Sequence, residues 1–496
     1  MRLLPVDTTP GPLTQHTAHA RHEEGSVRDM SAKIFAPDSV RTLDDFERDA
    51  LLIAQVLREK GVGPGERVTL KAGNSPAWMA TLLALMHLGA SIVLVDQQEH
   101  AEETRRIILR TGTKLVLCDE DAPLDAGQEA VHLYELLVSA AGRTPVEDRL
   151  DIGTWCDLPD GLIMWTSGST GSPKGVVKSG RKFLENLRRN AAQVGHREDD
   201  VLLPLLPFAH QYGLSMVLIA WLVRCSLVIA PYRRLDRALT MAAESGASVI
   251  DATPASYRSM LNLVTRKPAL RPGLEGARMF CVGAAPLDAP LVGSYVSEFG
   301  RPLLDSYGST ELGNIAFATP ENPVACGRVM DGIGLRVVDD EGRTVAAGAA
   351  GELEVRTPDA MEGQLAEDGT LVPLPGGWQR TGDLGYLDAD DNLYVLGRKY
   401  AVHRMGYTLY PELIERAVAA KGCSARIVAL PDERRGALLV FFVEDGEEQE
   451  ASYWRDRLKD MLASYERPDR VVVLDRFPLN RNGKPDKRQL ERLAQE

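Results

Sequence analysis

Basic residues, paired cysteine motifs and long unbroken apolar runs are all scarce in this chain of 496 residues. Its 57 Lys and Arg against 70 Asp and Glu give a formal net charge of −13. This charge argues against nucleic acid as a partner, because binding a phosphate backbone needs a basic face. The six cysteines include no Cys-x-x-Cys pair and no nearby histidine at metal-ligand spacing. We expect reduced, mostly buried thiols of a cytoplasmic protein, and no zinc site, at Cys118, Cys156, Cys225, Cys281, Cys326 and Cys423.

The amino terminus and the longest apolar run exclude further classes of protein. Residues 1–7 contain no apolar core long enough for a signal peptide. Residues 1–30 are rich in His, Thr and Pro, and we expect a loose arm there. The run from Tyr212 to Ala230 approaches the length of a membrane span, but Arg224 interrupts it and a separate strand-like segment follows from Cys225. We therefore expect a core helix followed by a strand, and no membrane span.

The rest of the chain alternates helix-length segments with short strand-like segments. With 44% apolar and 26% charged residues, it has the composition of a soluble globular protein long enough for two or more domains. The alternation through residues 67–118 and 201–304 predicts parallel βαβ units. Two later segments, Gly334 to Val355 and Gly385 to Leu396, have turn residues at Asp340-Glu341-Gly342 and Asp390-Asp391-Asn392 and predict antiparallel hairpins. The predicted fold class is α/β, with a large N-terminal domain of parallel αβ subdomains plus a β-rich subdomain over residues 31–397 and a small C-terminal αβ domain over residues 398–496.

A loop rich in glycine and hydroxyl residues follows the apolar segment that begins at Leu162. Glycines let the backbone approach a ligand, hydroxyls donate hydrogen bonds, and Lys174 adds a point charge for phosphate oxygens. A Walker-type P-loop needs Gly-Lys followed directly by Ser or Thr, whereas Lys174 lies between Pro173 and Gly175. The sequence therefore predicts a mobile phosphate loop that closes over a nucleotide, formed by Thr166, Ser167, Gly168, Ser169, Thr170, Gly171 and Lys174.

Three further segments follow this loop in order. The first is Asp305–Glu311, the second contains Asp383 and continues to Arg398, and the third is a charge-rich loop around Lys484. With the phosphate loop, they resemble in order and approximate separation the motifs of the adenylate-forming superfamily. That superfamily includes acyl-CoA synthetases, aryl-acid ligases, luciferases and the adenylation domains of peptide synthetases. The resemblance extends from about Arg41 to Leu490.

The resemblance implies an ATP site with a metal ligand. In relatives the aromatic residue matching Tyr307 stacks on adenine, and the threonine matching Thr310 meets the α-phosphate. The glutamate matching Glu311 helps to hold Mg²⁺, a hard cation that prefers oxygen ligands. Asp383 and Arg398 resemble the ribose ligands. The implied nucleotide-binding set is completed by Gly283, Ala284, Ala285, Asp305, Ser306, Gly308 and Ser309.

The resemblance also implies a reaction in two steps. A carboxylic acid attacks the α-phosphate of ATP, giving an acyl-adenylate and pyrophosphate, and Lys484 resembles the lysine that bridges the two reacting anions. The small C-terminal domain is then expected to swing from its adenylation pose to a second pose for acyl transfer. The candidate catalytic residues are Thr166, His210, Glu311 and Lys484.

The acid-binding wall is expected in the segment from Pro207 to Ser215, which resembles the corresponding family segment. Amino-acid-activating members usually carry an aspartate where this chain has Gln211, and a neutral amide cannot pair with a charged ammonium. This difference favours an aryl or other small carboxylic acid, and the alternative that Gln211 only braces the backbone stays open. The candidate substrate residues are Phe208, His210, Gln211, Tyr212, Gly213, Gly283 and Gly308.

The acceptor of the acyl group stays open at this point. A thiol of CoA or of an acyl or peptidyl carrier protein is the family default, and the alternatives are an amine or other nucleophile, or activation of a non-carboxylic acid. After Arg398 the chain is one residue shorter than many relatives and has Tyr400 at the hinge position, which leaves the thiol-accepting pose in question. A basic cluster consists of Lys178, Arg181, Lys182, Arg188 and Arg189. This cluster either binds phosphate or an acidic carrier protein, or it is a solvated helix face.

A non-catalytic nucleotide-binding sensor is the alternative from a different class of function. Such a protein would be expected to lose some of the residues that act on ATP. This chain retains Glu311, Asp383, Arg398 and Lys484, which favours an enzyme.

Overall fold

The computed structural model describes residues 31–166, 174–398, 402–404, 407–432, 435–446, 449–462, 465–480 and 483–496. Three sequence-based expectations fall outside these ranges. They are the loose arm at residues 1–30, the central part of the phosphate loop at residues 167–171, and the hinge at Tyr400.

A mixed sheet holds the two ends of the predicted phosphate loop. The elements of this part of the chain are β1 (Lys33–Ala36), β2 (Ser39–Thr42), α1 (Leu43–Glu59), β3 (Arg67–Lys71), α2 (Pro76–His87), β4 (Ser91–Val95), α3 (Ala101–Thr111), β5 (Leu115–Cys118), β6 (Val131–His132), α4 (Leu133–Ala140), α5 (Gly153–Asp157), β7 (Leu162–Thr166) and β8 (Lys174–Lys178). Strands β7, β4, β3, β5 and β6 are parallel neighbours in that order, and β8 returns antiparallel beside β7. Every residue of β4 is buried, as is typical of a parallel strand covered on both faces.

A second sheet gathers the strands that carry the central motifs. Its part of the chain contains α6 (Gly180–Val194), β9 (Val201–Pro204), α7 (Gln211–Val223), β10 (Ser226–Val228), α8 (Leu235–Ser245), β11 (Val249–Ala252), α9 (Pro254–Arg266), a 3₁₀ helix (Pro268–Leu270), α10 (Pro272–Glu275), β12 (Met279–Val282), α11 (Ala289–Phe299), β13 (Leu303–Ser309), β14 (Gly313–Phe317) and β15 (Arg328–Val329). Strands β1, β10, β9, β11, β12 and β13 are parallel, with antiparallel β2 at one edge and β14 and β15 at the other. The carboxyl ends of β11, β12 and β13 therefore share one edge, where open α/β sheets bind ligands.

The last third of the chain is richer in antiparallel strands. It contains β16 (Gly334–Val338), β17 (Gly351–Arg356), β18 (Gly363–Leu365), β19 (Leu371–Pro373), β20 (Gln379–Leu387), β21 (Leu393–Arg398), β22 (Val402–Arg404), β23 (Tyr407–Leu409), α12 (Pro411–Ala419), β24 (Ala425–Asp432), β25 (Gly436–Glu444), α13 (Ala451–Met461), β26 (Arg470–Leu474) and α14 (Lys487–Gln495). Strands β16, β17, β20 and β21 form an antiparallel sheet in that order, while β18 pairs with β8 of the first sheet. Strand β25 lies between β24 and β26, and these strands share a core with Trp454 and Leu458 of α13.

Capping residues set the starts of the helices nearest to the sheet edge. Ser75 Oγ accepts a hydrogen bond from Trp78 N at 3.1 Å at the start of α2, and Thr253 Oγ1 accepts one from Ser256 N at 3.2 Å at the start of α9. In both helices the next residue is proline, whose fixed φ suits the first helical position. Thr253 is thereby held directly after β11.

The predicted α/β fold class is confirmed. The apolar run from Tyr212 to Ala230 forms most of α7 and then β10, and Arg224 ends the helix in the left-handed conformation with a φ of 62°.

Across the residues that the structure describes, no helix combines the length and the apolar character needed to cross a membrane. The proposed domain boundary near residue 397 stays a prediction.

Candidate active site

The two ends of the predicted phosphate loop are neighbours across a β-ladder. Thr166 ends β7 and Lys174 begins β8, and the two residues are direct partners in the antiparallel register. A Cβ at Gly175 would lie 3.0 Å from the Trp165 ring, so a larger residue would crowd the ladder. The ends are thus fixed close together, and Ser167, Gly168, Ser169, Thr170 and Gly171 lie outside the described residues.

The segment that contains Tyr307 is a strand, although its sequence also resembles a turn. It forms the end of β13, with a bulge between Tyr307 and Gly308 where β13 pairs with β14. Gly308 is exposed, and a Cβ there would lie 2.8 Å from Gly313 O and 3.0 Å from Asn314 Cα. A glycine is therefore needed at this position, and its bare backbone faces solvent, where a flat ligand can approach closely.

Asp383 is held between a phenol and a guanidinium. Tyr307 Oη donates to Asp383 Oδ2 at 2.6 Å, and Arg398 Nε lies 3.1 Å from Asp383 Oδ1. Burial raises the pKa of Asp383, and the neighbouring Arg398 and Tyr307 oppose that rise. Strands β20 and β21 pair Asp383 directly with Arg398, so the hairpin fixes the pair. Each carboxylate oxygen has a further lone pair that can accept a ribose hydroxyl.

Lys484 approaches this pair from the carboxy-terminal part of the chain. Its backbone N donates to Asn480 Oδ1 at 3.1 Å, which closes a turn. At the preceding position, a Cβ on Gly483 would lie 3.3 Å from Thr253 Oγ1, so the turn rests on the edge beyond β11. The Lys484 side chain keeps solvent contact, yet desolvation by nearby protein and repulsion from Arg398 lower its pKa, while Asp383 opposes that shift.

Glu311 lies in the turn between β13 and β14. Ser309 Oγ accepts from Leu312 N at 3.1 Å, closing the turn that also holds Thr310, and Met361 N donates to Glu311 O at 2.7 Å. Within the described ranges, no group of three or more His, Cys, Asp and Glu side chains is arranged to hold a metal ion. A single carboxylate fits Mg²⁺ nonetheless, because this ion is commonly bound by one or two carboxylates together with substrate phosphates.

The wall predicted for the acid is shaped by tight packing behind it. Asn74 clamps the loop before α7, since its Nδ2 donates to Leu206 O and its Oδ1 accepts from Phe208 N, both at 2.8 Å. Phe208 is buried against Trp78, with ring centroids 5.4 Å apart. A Cβ on Gly213 would lie 2.1 Å from Pro207 O, so only glycine lets α7 approach the loop. Phe208 and Gly213 therefore support the wall from behind.

His210 faces a carboxylate that sequence reasoning missed. Its Nε2 lies 3.4 Å from Asp96 Oδ2 without forming a well-oriented hydrogen bond, so the contact is an ion pair when the imidazole is protonated. Burial raises the pKa of Asp96, but His210 and the backbone N–H of Gln98 outweigh it and the pKa is lowered overall. The position of Asp96 directly after buried strand β4, at a carboxyl end, is the signal that would have identified it.

The first two residues of α7 make hydrogen bonds to β13 and to Asp251, a second carboxylate that sequence reasoning missed. Gln211 Nε2 donates to Ser309 O at 3.0 Å, so this amide does brace the backbone of β13. Tyr212 Oη donates to Asp251 Oδ1 at 3.0 Å. Asp251 lies on β11 with 2% exposure, and burial raises its pKa to about 7. An aspartate inside an otherwise apolar strand is the one sequence signal for it.

The end of β12 brings small residues to the same region. A Cβ on Gly283 would lie 2.7 Å from Ser306 Oγ and 3.0 Å from a ring carbon of Tyr212. Ala284 adopts a left-handed φ of 69° and is exposed, and Ala285 follows it. Asp305 lies deeper, where burial raises its pKa to about 7 and its Oδ2 accepts from Cys326 Sγ at 3.5 Å. Gly283 thus lets Ser306 and Tyr212 pack so closely against the backbone that any side chain at this position would collide with them.

The basic cluster does not form an open cationic surface, which corrects one reading of the sequence. Lys178 is fully buried on β8, where burial lowers its pKa to about 8. Arg189 pairs with buried Asp359, Lys182 Nζ lies 2.7 Å from Glu362 Oε1, and Arg181 pairs with Asp157. Acidic partners therefore neutralise much of the positive charge of this cluster. The sequence had suggested that this charge was available to a ligand.

Comparison with known protein families matches two parts of the chain. Residues 22–365 match the family described as AMP-binding enzyme, and residues 423–484 match the AMP-binding enzyme C-terminal domain. The first match alone spans more than half of the chain. The resemblance inferred from the four motifs and the expectation of an enzyme are both confirmed.

Individual proteins of known function and structure are similar over almost the whole chain. The fatty acid–[acyl-carrier-protein] ligase ScoC of Streptomyces coeruleorubidus is 28% identical, over 96% of this chain and 95% of its own length. The indoleacetate–CoA ligase of Aromatoleum aromaticum is 28% identical, over 89% and 91%. The crystal structure of ATP-bound MatB from Rhodopseudomonas palustris has a TM-score of 0.83 at 24% identity, covering 95% of this chain and 97% of that one. This last likeness shows a shared fold.

Proposed function

Because the chain belongs to the AMP-binding enzyme family, we propose that it uses ATP to activate a small aryl carboxylic acid as an acyl-adenylate, releasing pyrophosphate. The acyl group then passes to the thiol of CoA or of a carrier protein. The observation that supports this proposal most strongly is the convergence of Lys484 with Tyr307, Asp383 and Arg398. Three separate parts of the fold supply these groups, and together they suit a nucleotide attacked beside a lysine.

The nucleotide roles follow from the donors and acceptors available at the edge of the sheet. The Tyr307 ring and the exposed backbone at Gly308 suit the flat adenine ring. Asp383 accepts from the ribose hydroxyls, and Arg398 holds that carboxylate in place at 3.1 Å. The paired ends of the phosphate loop, Thr166 and Lys174, supply a hydroxyl and a cation for the phosphate oxygens.

The first half-reaction brings two anions together. A carboxylate oxygen attacks the α-phosphate, so repulsion contributes to the barrier, and a fixed cation stabilises the charge that develops. Lys484 supplies this cation, and partial desolvation strengthens its interaction with a nearby anion. Preorganised donors of this type contribute roughly 3–4 kcal/mol each. When bound, Mg²⁺ neutralises phosphate charge, and Glu311 is the residue that would hold it.

The acid is held on the opposite side of the lysine by the wall at the start of α7. The resemblance matches Gln211 to the position where amino-acid-activating relatives usually carry an aspartate, and a neutral amide cannot pair with an α-ammonium. His210 Nε2 lies 3.4 Å from Asp96 Oδ2, so the nearest charged partner of this imidazole is a protein carboxylate. These features favour an aryl acid over an α-amino acid.

The names of the similar proteins support a thiol as the acceptor of the acyl group. The two relatives named above are described as ligases of an acyl-carrier protein and of CoA. Because ion pairs neutralise much of the basic cluster around α6, we assign neither acceptor from that cluster. The choice between CoA and a carrier protein is therefore left to experiment.

ATP–pyrophosphate exchange across a panel of aryl, amino and aliphatic acids tests the first half-reaction. We expect exchange with an aryl acid, and mass analysis of the products should then find a thioester with CoA or with a carrier protein. The Lys484→Ala variant should lose exchange, whereas Lys459→Ala, an exposed lysine of α13 that pairs with Asp456, serves as the matched control. Exchange with no acid, despite normal ATP binding, would instead favour the sensor.

A further inference from the structure

A cavity of about 350 Å³ adjoins both the predicted acid wall and the turn that carries Lys484. Pro207, at the start of the wall segment, and Gly483, directly before Lys484, both line it. Its volume lies in the range of small-molecule sites. The cavity is therefore bordered by the surface expected to hold an acid and by the turn whose lysine is expected to act on that acid.

The walls of this cavity combine apolar surface with one charged group. Leu205, Leu206 and Pro207 follow β9 and give it an apolar side, which suits an aromatic ring. Among the described residues that line it, Arg233 is the only one with a charged side chain. The lining thus supplies a cation and no anion to balance it, so an anionic group of a ligand would complete the site.

Arg233 is oriented by two uncharged neighbours that line the same cavity. Its Nη1 donates to Gln98 Oε1, and its guanidinium carbon lies 5.5 Å from the centre of the Tyr232 ring. An amide oxygen and an aromatic face orient a guanidinium without neutralising it. The other N–H donors of the fork suit a carboxylate, which accepts two of them at once.

The nearby carboxylate of Asp96 has partners of its own. Asp96 Oδ1 accepts from Gln98 N at 2.9 Å, and Asp96 Oδ2 lies 3.4 Å from His210 Nε2. Its charge reaches Arg233 only over a longer distance. Within the part of the chain that the structure describes, Arg233 forms no ion pair, whereas the next residue, Arg234, pairs with Asp236.

We propose that this cavity holds the body of the acid substrate and that Arg233 binds a second carboxylate on it. The inference rests on the proposed function and narrows its substrate class to aryl acids that carry two carboxylates. One carboxylate lies beside Lys484, where it attacks ATP, and the guanidinium holds the other. A site with an unpaired polar group discriminates strongly between a ligand that pairs with it and an analogue that cannot.

Matched pairs of acids test this assignment. Each benzenedicarboxylate, and each homologue whose second carboxylate is attached through a short methylene spacer, is compared with the analogue in which that group is a primary amide. The amide has a similar shape but no charge. For the best diacid, kcat/KM in ATP–pyrophosphate exchange should exceed that of its amide by about 5- to 50-fold. Arg233→Gln should bring this ratio close to one, and Arg233→Lys, which keeps the charge but loses the fork, should retain part of it.

The neighbouring arginine provides the matched control. Arg234 is exposed, and its Nε lies 3.4 Å from Asp236 Oδ1. Arg234→Gln removes the same charge one position along the chain and should leave the diacid-to-amide ratio unchanged. Arg233 is exposed as well, so its substitution should not prevent folding, which circular dichroism checks. Gln98→Leu gives a second measurement, because it removes the acceptor that orients Arg233, and should lower the ratio about 2- to 5-fold.

The outcomes separate this inference from the proposed function. Exchange with none of the aryl acids contradicts the proposed function. Exchange with aryl acids at a diacid-to-amide ratio near one, or at a ratio that Arg233→Gln leaves unaltered, overturns only the second carboxylate. A higher KM for CoA in Arg233→Gln, with an unaltered ratio, means that the guanidinium serves the acceptor, and the inference is then wrong.

Discussion

Replacing Asp251 by asparagine should change how the stability of the ligand-free protein depends on pH. The carboxyl is buried on β11, and burial raises its pKa from 3.8 to about 7 while the Tyr212 hydrogen bond opposes that rise. A raised carboxyl pKa means that folding favours the protonated form. Its contribution to stability is therefore fully present below pH 3.8 and is lost as the pH rises toward 7. The asparagine side chain of the variant has no such titration.

The size of the effect follows from the two pKa values. Linkage with an unfolded pKa of 3.8 and a folded pKa of about 7 predicts that wild type loses about 2–3 kcal/mol relative to Asp251→Asn between pH 5 and pH 8. Most of the loss falls below pH 7, and the difference becomes constant above it. Asparagine keeps one oxygen for Tyr212 but buries an amide donor, so we expect it to be the less stable protein at pH 5 by about 1–2 kcal/mol.

Urea unfolding of both proteins at pH 5, 6, 7 and 8, followed by tryptophan fluorescence, measures this difference. Titrations that the two proteins share cancel in the comparison, and equal m-values show that the same transition is being compared. Asp200→Asn provides a flat control, because Arg278 and other partners lower the pKa of Asp200 below 3.8 despite its burial, so its wild-type-minus-variant difference should not change between pH 5 and pH 8. For Asp251→Asn, a wild-type-minus-variant difference that stays flat from pH 5 to pH 8 would refute the account of a carboxyl whose pKa is raised by burial.

Three further predictions concern the nucleotide site and the packing behind the acid wall. Lys484→Ala should lower the rate of pyrophosphate exchange by at least about 100-fold. It should change the Kd for ATP, measured by calorimetry, far less. Comparable losses in rate and in ATP affinity would contradict the proposal that Lys484 stabilises the charge that develops during the reaction. Asp383→Ala should weaken ATP binding by about 1–3 kcal/mol in the same calorimetric assay, and an unchanged Kd would remove Asp383 from the ribose site. Gly213→Ala should lower the free energy of unfolding by about 1–3 kcal/mol because its Cβ would meet Pro207 O at 2.1 Å. The matched helical substitution Gly293→Ala, which meets nothing within 4 Å, should raise it by about 0.5–1 kcal/mol, and equal shifts in urea midpoint would show that the close approach is unimportant.

The elements around the site were predictable because their signals are local. Segment Arg67–Lys71 is a strand and Ala101–Thr111 is a helix, as expected from the periodicity. The same holds for the helix and strand on either side of Arg224. In each case a few neighbouring residues carry the whole pattern, so no tertiary information is needed.

Pairings between distant residues were not predictable in this way. The hydrogen bond from Tyr307 to Asp383 joins residues 76 positions apart, and it exists only because the end of β13 lies beside the middle of β20. Lys178 looked like one more surface cation in a basic run, yet β8 places it beneath α6, where Phe183 covers it. Sequence spacing gives the face of a strand, but whether that face is covered depends on the rest of the fold.

The two halves of the candidate site differ in how their chemistry is encoded. Nucleotide-facing groups lie in short runs of glycine, hydroxyl and charged residues, because a phosphate or a ribose is bound by several adjacent donors and acceptors. The polar groups behind the candidate acid wall are single residues inside apolar segments, such as Asp251 of β11. A buried polar group has strong effects on its surroundings in a low-dielectric interior, so a single carboxyl matters there without forming a recognisable sequence run. The sequence runs therefore indicate the candidate nucleotide site directly, whereas the surroundings of the acid wall become apparent only when the fold shows which single polar residues are buried there.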